Sequence, residues 1–184
     1  MTHLTVYPEG DPAARDLDTS EEQRIAAALQ TIGVRFERWR AAQPLPPDAD
    51  DTAVMQAYRA DIERLRAERG YRAVDVVRCL PDNPARQEMR RKFLDEHVHD
   101  DDEVRFFVEG AGVFYLRAAG KVHVLLCGRG DLLRVPAGTR HWFDMGPAPY
   151  FTAIRLFTTP AGWVARFTGD KIAQRFPAFE NVAA

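Results

Sequence analysis

Cysteine is scarce in this chain of 184 residues: there are two, Cys79 and Cys127, too few for a disulfide framework and too far apart for a CxxC pair. That argues against a stapled secreted scaffold and predicts a reduced, cytoplasmic setting. An excess of either charge is also missing, since 25 Lys and Arg stand against 27 Asp and Glu for a formal charge of −2. Such a balance lacks the basic footprint that nucleic acid or an anionic membrane calls for. No apolar run approaches a membrane span, and Met1-Thr2-His3-Leu4 has no signal-peptide pattern. There is no internal repeat, and the only biased stretch is Pro44 to Pro47. The length suits one domain with a sizeable core, and nothing in the sequence demands more than a monomer.

Histidine is scarce too, with five in the chain, yet two of them stand in His97-Val98-His99-Asp100-Asp101-Asp102-Glu103. Histidines at i and i+2 on an extended segment point to one side, and a carboxylate follows four residues later. Imidazole with carboxylate suits a first-row divalent metal and disfavours an alkaline-earth ion. A second motif, Gly130 to His141, leads a strand into a Pro136-x-Gly138 turn with a histidine three residues on. Proline presets φ and glycine permits positive φ, so that turn has a defined shape. The two spacings, HxHx3Ex6G and Gx5PxGx2H, resemble the paired signatures of the cupin superfamily. They depart from them at Arg91, where a leading glycine is usual, and at Met145, where asparagine is common. The resemblance implies a small β-barrel with His97, His99, Glu103 and His141 converging inside it.

Along the chain, residues 3–7 read as a strand. Thr19 and Ser20 before Glu22 and Gln23 form a capping-box pattern, opening a helix with Ile25, Leu29 and Ile32 at helical spacing and Gly33 at its end. Val34 to Trp39 alternates as a strand. Asp50 or Asp51 caps a second helix carrying Val54, Tyr58, Ile62 and Leu65, which stops before Gly70. Tyr71 to Leu80 is strand-like, and a short helical segment through Arg86, Arg90 and Lys92 follows it. From there the spacing predicts strands over 93–99, 103–109, 112–118, 121–127, 131–135, 140–144 and 151–157. The breaks are rich in glycine and proline, with Gly110-Ala111-Gly112 expected as a hairpin turn. Short strands at this spacing define a mainly β protein, an antiparallel barrel or jelly roll with a few peripheral helices. The expected plan is a single cupin domain over 1–184. Strands and helices of 1–92 would pack on the barrel, the metal-binding core would span about 93–160, and 161–184 would form a C-terminal extension.

Lys92 to Val108 resembles the acireductone dioxygenase family of methionine salvage more closely than it resembles cupins at large. So do Gly162-Trp163-Val164 and Thr168 to Pro177, and the likeness covers at least residues 71–177. It implies one Fe(II) or Ni(II) ion per chain, held by His97, His99, Glu103 and His141, with acireductone and O₂ as substrates. In that family the Fe form is expected to give formate and 2-oxo-4-methylthiobutyrate. The Ni form is expected to give formate, carbon monoxide and 3-(methylthio)propanoate. Arg105, two residues after Glu103, shares the ligand-bearing face of a strand, where its guanidinium would favour the doubly deprotonated substrate. Arg155, on the apolar strand Tyr150 to Phe157, needs a partner if it points inward and is a second substrate-binding candidate. Phe93, Phe106, Trp142 and Phe143 are expected to wall the pocket around the methylthio tail. The likeness links Glu96 and Asp102 to metal loading and conformational coupling. His123 lies outside both motifs and reads as a packing or surface histidine. A cupin isomerase with the same ligands would take up no O₂, and a ligand-storing cupin often lacks a metal ligand, whereas here all four are present.

Overall fold

The computed structural model describes residues 2–161 and 163–183. Met1, Gly162 and Ala184 lie outside the described residues, and with them one residue of the Gly162-Trp163-Val164 segment and the last of the 161–184 extension. Eleven strands and five helices are present among the described residues. They are β1 His3–Pro8, β2 Leu17–Thr19, α1 Glu22–Gln30, β3 Arg35–Arg38, α2 Asp51–Ala57, α3 Arg59–Arg69, β4 Ala73–Cys79 and α4 Arg86–Leu94. Then come β5 His97–Val98, β6 Glu103–Ala118, β7 Lys121–Gly128, β8 Asp131–Val135, β9 Arg140–Asp144, β10 Phe151–Phe157, β11 Arg166–Phe167 and α5 Phe179–Val182. All pairings are antiparallel. One sheet runs β11-β5-β9-β6-β7-β1-β2, and the other pairs β3 with β8, β8 and β10 with β6, and β10 with β4. The protein is mainly β, a cupin-type barrel in which β1, β3 and β4 from the N-terminal part belong to the sheets themselves.

The 16 residues of β6 join the two sheets. Its first half pairs with β8 and β10, and its second half, from Ala111, pairs with β7 and β9. The expected hairpin at Gly110-Ala111-Gly112 is therefore corrected to a bend within one strand. The register with β10 passes from Phe107 to Glu109 and skips Val108, which makes a bulge there, and Gly110, two residues on, has φ +62°. A bulge inserts one residue and so inverts the alternation. Before it Glu103, Arg105 and Phe107 face the barrel interior; after it Phe114 and Leu116 do, while Val113 and Tyr115 face outward.

Three apolar clusters follow from that parity. The interior holds Leu4, Phe107, Phe114, Leu125, Leu133, Phe143 and Phe151. Outside one sheet, the stripe Val54, Tyr58, Ile62 and Leu65 packs on Val104, Phe106, Val108, Ile154 and Leu156. Outside the other, Tyr115 and Trp142 meet Ile172 and Phe176. The second helix is two: Tyr58 (φ −107°, ψ 23°) separates α2 from α3, although the buried stripe runs on through both. Asp50 caps α2, accepting from the Ala53 N–H at 2.8 Å. The capping box at α1 is replaced by a different contact. Thr19 belongs to β2, and its hydroxyl accepts from the Glu21 N–H at 3.1 Å, ahead of the helix start. The strand expected over 93–99 is also corrected. Strong helix formers extend α4 to Leu94, and β5 covers His97 and Val98 alone.

Gly110→Ala tests the bend. A Cβ there would lie 1.7 Å from the Tyr150 carbonyl oxygen, whereas one at Gly70 (φ +67°) meets nothing within 4 Å. Left-handed backbone alone costs a non-glycine residue about 1–2 kcal/mol, so Gly110→Ala should cost at least ~2 kcal/mol. In thermal unfolding that is a midpoint lowered by roughly 4–8 °C, clearly more than for Gly70→Ala. Equal midpoints for the two variants would show that the bend is not sterically fixed.

Candidate metal centre

Two short strands set the histidines face to face. His97 on β5 pairs directly with His141 on β9, and their rings lie 4.4 Å apart between centroids. His99 follows β5, with its ring 5.0 Å from each of the other two. The Pro136-x-Gly138 turn is pinned to it, because the Gly138 N–H donates to the His99 carbonyl at 2.8 Å. One ligand atom from each histidine lies within 4.8 Å of the others. Glu103, the first residue of β6, brings its Oε2 to 3.2 Å from His99 Nε2 and 3.9 Å from His141 Nε2.

Each ring is oriented by a carbonyl. His97 Nδ1 lies 2.8 Å from the Asp95 oxygen, His141 Nδ1 2.8 Å from the Thr139 oxygen and His99 Nδ1 2.8 Å from the Val164 oxygen. A carbonyl only accepts, so Nδ1 carries the proton and Nε2 keeps its lone pair. Burial pushes the His97 imidazole down to about 4 and that of His141 down to about 3, so both are neutral at neutral pH. Burial opposes ionisation of Glu103, but the Arg105 guanidinium beside it counters that and helps hold the carboxyl well below its usual range. Buried His99 Nε2, His141 Nε2 and Glu103 Oε2 all lack a hydrogen-bond partner among the described residues. A lone pair and a carboxylate oxygen at 3.2 Å repel unless a cation lies between them. The donor set, three imidazoles and one carboxylate, suits a first-row divalent ion.

Arg105 lies on the interior face as strand parity predicts, donating from Nε and Nη2 to Glu103 Oε1 at 3.0 and 2.7 Å. Its guanidinium sits over the Phe114 and Phe143 rings, 4.7 and 5.0 Å from their centroids. Arg155 is buried and donates to Asp75 from Nε and Nη2 at 2.8 and 2.7 Å. Phe93, on α4, lies 6.2 Å from Phe143 and 6.2 Å from Trp163, so both phenylalanines line the interior side.

Two expected wall residues are corrected. Phe106 points out of the barrel between Trp39 and Tyr58, because it alternates with Arg105. Trp142 alternates with His141 and stacks on Tyr115 outside the other sheet at 5.0 Å. Phe107, Phe114, Phe157 and Trp163 occupy the inner side instead, the Trp163 ring 5.9 Å from His97 and 5.7 Å from His99. Strand parity identifies Phe107, whereas Phe114 requires knowledge of the bulge. Glu96 is buried but faces away from the histidines, accepting from Arg117 and from the Thr168 hydroxyl at 2.8 Å. Asp102 accepts from the Ala137 N–H at 2.9 Å and so ties the acidic loop to the Pro136 turn. His123 is buried on β7, 3.3 Å from the Leu116 carbonyl and apart from the trio.

A barrel interior with converging imidazoles and a carboxylate defines the class: a metal-binding cupin. A sequence model described as the ARD/ARD' family matches residues 3–165, and the chain belongs to that family. It is 65% identical to the acireductone dioxygenase of Parvibaculum lavamentivorans over 181 residues, 98% of each chain. It is 55% identical to that of Xanthomonas euvesicatoria pv. vesicatoria over 179 residues, covering 97% of this chain and 95% of the other. Among solved structures it resembles the acireductone dioxygenase from Bacillus anthracis with a cadmium ion in its active centre. That match has a TM-score of 0.77 at 30% identity and covers 91% of this chain and 98% of the other.

Alanine at His97, His99, Glu103 or His141 should weaken metal binding by more than ~100-fold, beyond the usual effect of losing an outer-shell contact. His123→Ala should leave the metal content at that of the parent. Elemental analysis per folded chain decides, and full occupancy in His141→Ala would remove that residue from the centre.

Proposed function

We propose that this chain is a metal-dependent dioxygenase that cleaves acireductone, 1,2-dihydroxy-3-keto-5-methylthiopentene, with His97, His99, Glu103 and His141 holding one Fe(II) or Ni(II) ion. The observation that carries the reading is the 3.2 Å approach of His99 Nε2 to Glu103 Oε2, two buried acceptors with no donor between them. The relatives' shared name supports the substrate. A bound ion, held by His97, His99, Glu103 and His141, would supply Lewis acidity toward the oxygens of the substrate.

The remaining work belongs to the side chains. Arg105 keeps its charge beside Glu103, and its buried Nη1 is free to donate to an ionised substrate oxygen. A charge-assisted hydrogen bond in a dry site favours the dianion over its protonated forms. Phe93, Phe107, Phe114 and Phe143 form an apolar wall that excludes water and suits a methylthio tail. The enediolate is electron-rich and takes up O₂ across two of its carbons. Cleavage gives formate and 2-oxo-4-methylthiobutyrate, or formate, carbon monoxide and 3-(methylthio)propanoate. Both outcomes conserve every atom of substrate and O₂, so the choice lies in which carbons are bridged.

Chelator-stripped protein reloaded with Fe(II) should consume O₂ and release the 2-oxo acid without carbon monoxide, while Ni(II) should release carbon monoxide. Gas-phase detection beside chromatography of the acids reads the outcome. Identical products would refute the metal dependence, and no O₂ uptake with either ion would refute the function. Arg105→Ala should keep its metal and lose about 100-fold in turnover, the scale of removing one preorganised donor. Turnover equal to the parent would contradict the role given to its Nη1.

A further inference from the structure

One buried cation of the interior has no part in the chemistry above. The register across β4, β10 and β6 places Asp75 beside Arg155 and Arg155 beside Arg105. Each guanidinium is anchored in the same way on its far side. Asp75 takes Nε and Nη2 of Arg155, and Glu103 takes Nε and Nη2 of Arg105. In each, Nη1 is buried with no acceptor among the described residues. The two side chains are only 3% and 8% exposed.

Two like charges directly opposite on neighbouring strands repel, and each orphaned N–H forfeits its hydration. Aromatic faces soften this without removing it. Arg155 lies 5.7 Å from the Phe157 centroid and 5.4 Å from that of Trp163, the two rings that also flank His99. Such a pair is stable as a clamp that an anion completes. Acireductone carries three vicinal oxygens, more than Arg105 Nη1 alone can satisfy.

We propose that Arg155 is the second guanidinium of the substrate site, donating through Nη1 to an anionic oxygen of the bound diolate. Asp75 is the positioning residue that aims it. This rests on the diolate reading of the centre. It explains why a carboxylate with 42% exposure on β4 reaches inward to hold an arginine of β10.

The test uses Ni(II)-loaded full-length protein, with oxalate as an unreactive planar dianion and acireductone as substrate. Losing a hydrogen bond to a charged group corresponds to about 10- to 100-fold in affinity. Arg155→Gln should therefore raise the oxalate Kd and the KM by that factor, with metal content unchanged. Asp75→Asn should raise KM less, and Asp75→Glu should restore it, a rescue that loss of packing alone would not give. Should Arg155→Gln not fold, Arg155→Lys keeps the charge without the two-pronged bond to Asp75 and should show a weakened oxalate Kd. If the parent takes up no O₂ with acireductone, the function fails while the oxalate series still decides the clamp. Failure of the parent to bind oxalate, or an unchanged Kd in folded Arg155 variants, overturns the proposal.

Discussion

The centre depends on an unfavourable contact held in place by favourable ones. Glu103 Oε2 faces two imidazole nitrogens at 3.2 and 3.9 Å. Its other oxygen is occupied by Arg105. Buried polar atoms are nearly always paired, so three unpaired acceptors meeting in one place are a geometry built for a cation. Arg105 serves both sides of that arrangement. It keeps Glu103 ionised despite complete burial, and it leaves one N–H directed elsewhere.

What makes the arrangement possible is the bend in β6. A straight strand would expose the same parity from Glu103 to Ala118, and an interior that began with Glu103, Arg105 and Phe107 would continue to Val113 and Tyr115. The bulge at Val108 exchanges the faces, so Phe114 enters under the Arg105 guanidinium while Tyr115 leaves to stack on Trp142. A β-branched or bulky side chain is excluded at Gly110 by the Tyr150 carbonyl, which also accepts from the Ala111 N–H at 3.1 Å. The bulge thus selects which aromatics reach the site, while Gly110 carries the strand from one sheet to the other.

This explains what could be read from the sequence and what could not. His97, His99, Glu103 and His141 were legible because ligand spacing on extended chain is short-range: i, i+2 and a following loop, then a Pro-x-Gly turn. Arg105 followed from parity over two residues. Phe106 and Trp142 are aromatics beside ligand-bearing positions, yet parity in the same strands turns them outward. Gly110-Ala111-Gly112 reads alike as a hairpin or as a bend within one strand, since a glycine serves either, and only pairing partners far along the chain decide between them. The boundary near Phe93 is ambiguous in sequence, because two apolar residues at the end of a helix of strong formers look like the start of a strand.

The three histidines differ in how they are held, and the difference reaches the C-terminal segment. His97 and His141 are each oriented by the carbonyl two residues earlier, so their local backbone suffices. His99 is oriented by Val164, 65 residues away. That carbonyl belongs to a segment held at several points: β11 pairs with β5, the Thr168 N–H donates to the Glu96 carbonyl, and Arg117 gathers Glu9, Glu96 and Asp170. Glu96 touches no metal-facing atom, yet it ties the backbone before His97 to the strand that brings Val164 to His99. Its position one residue before His97, facing the other way, is what alternation on an extended segment requires, and it leaves the carboxylate on the side where Arg117 and Thr168 stand.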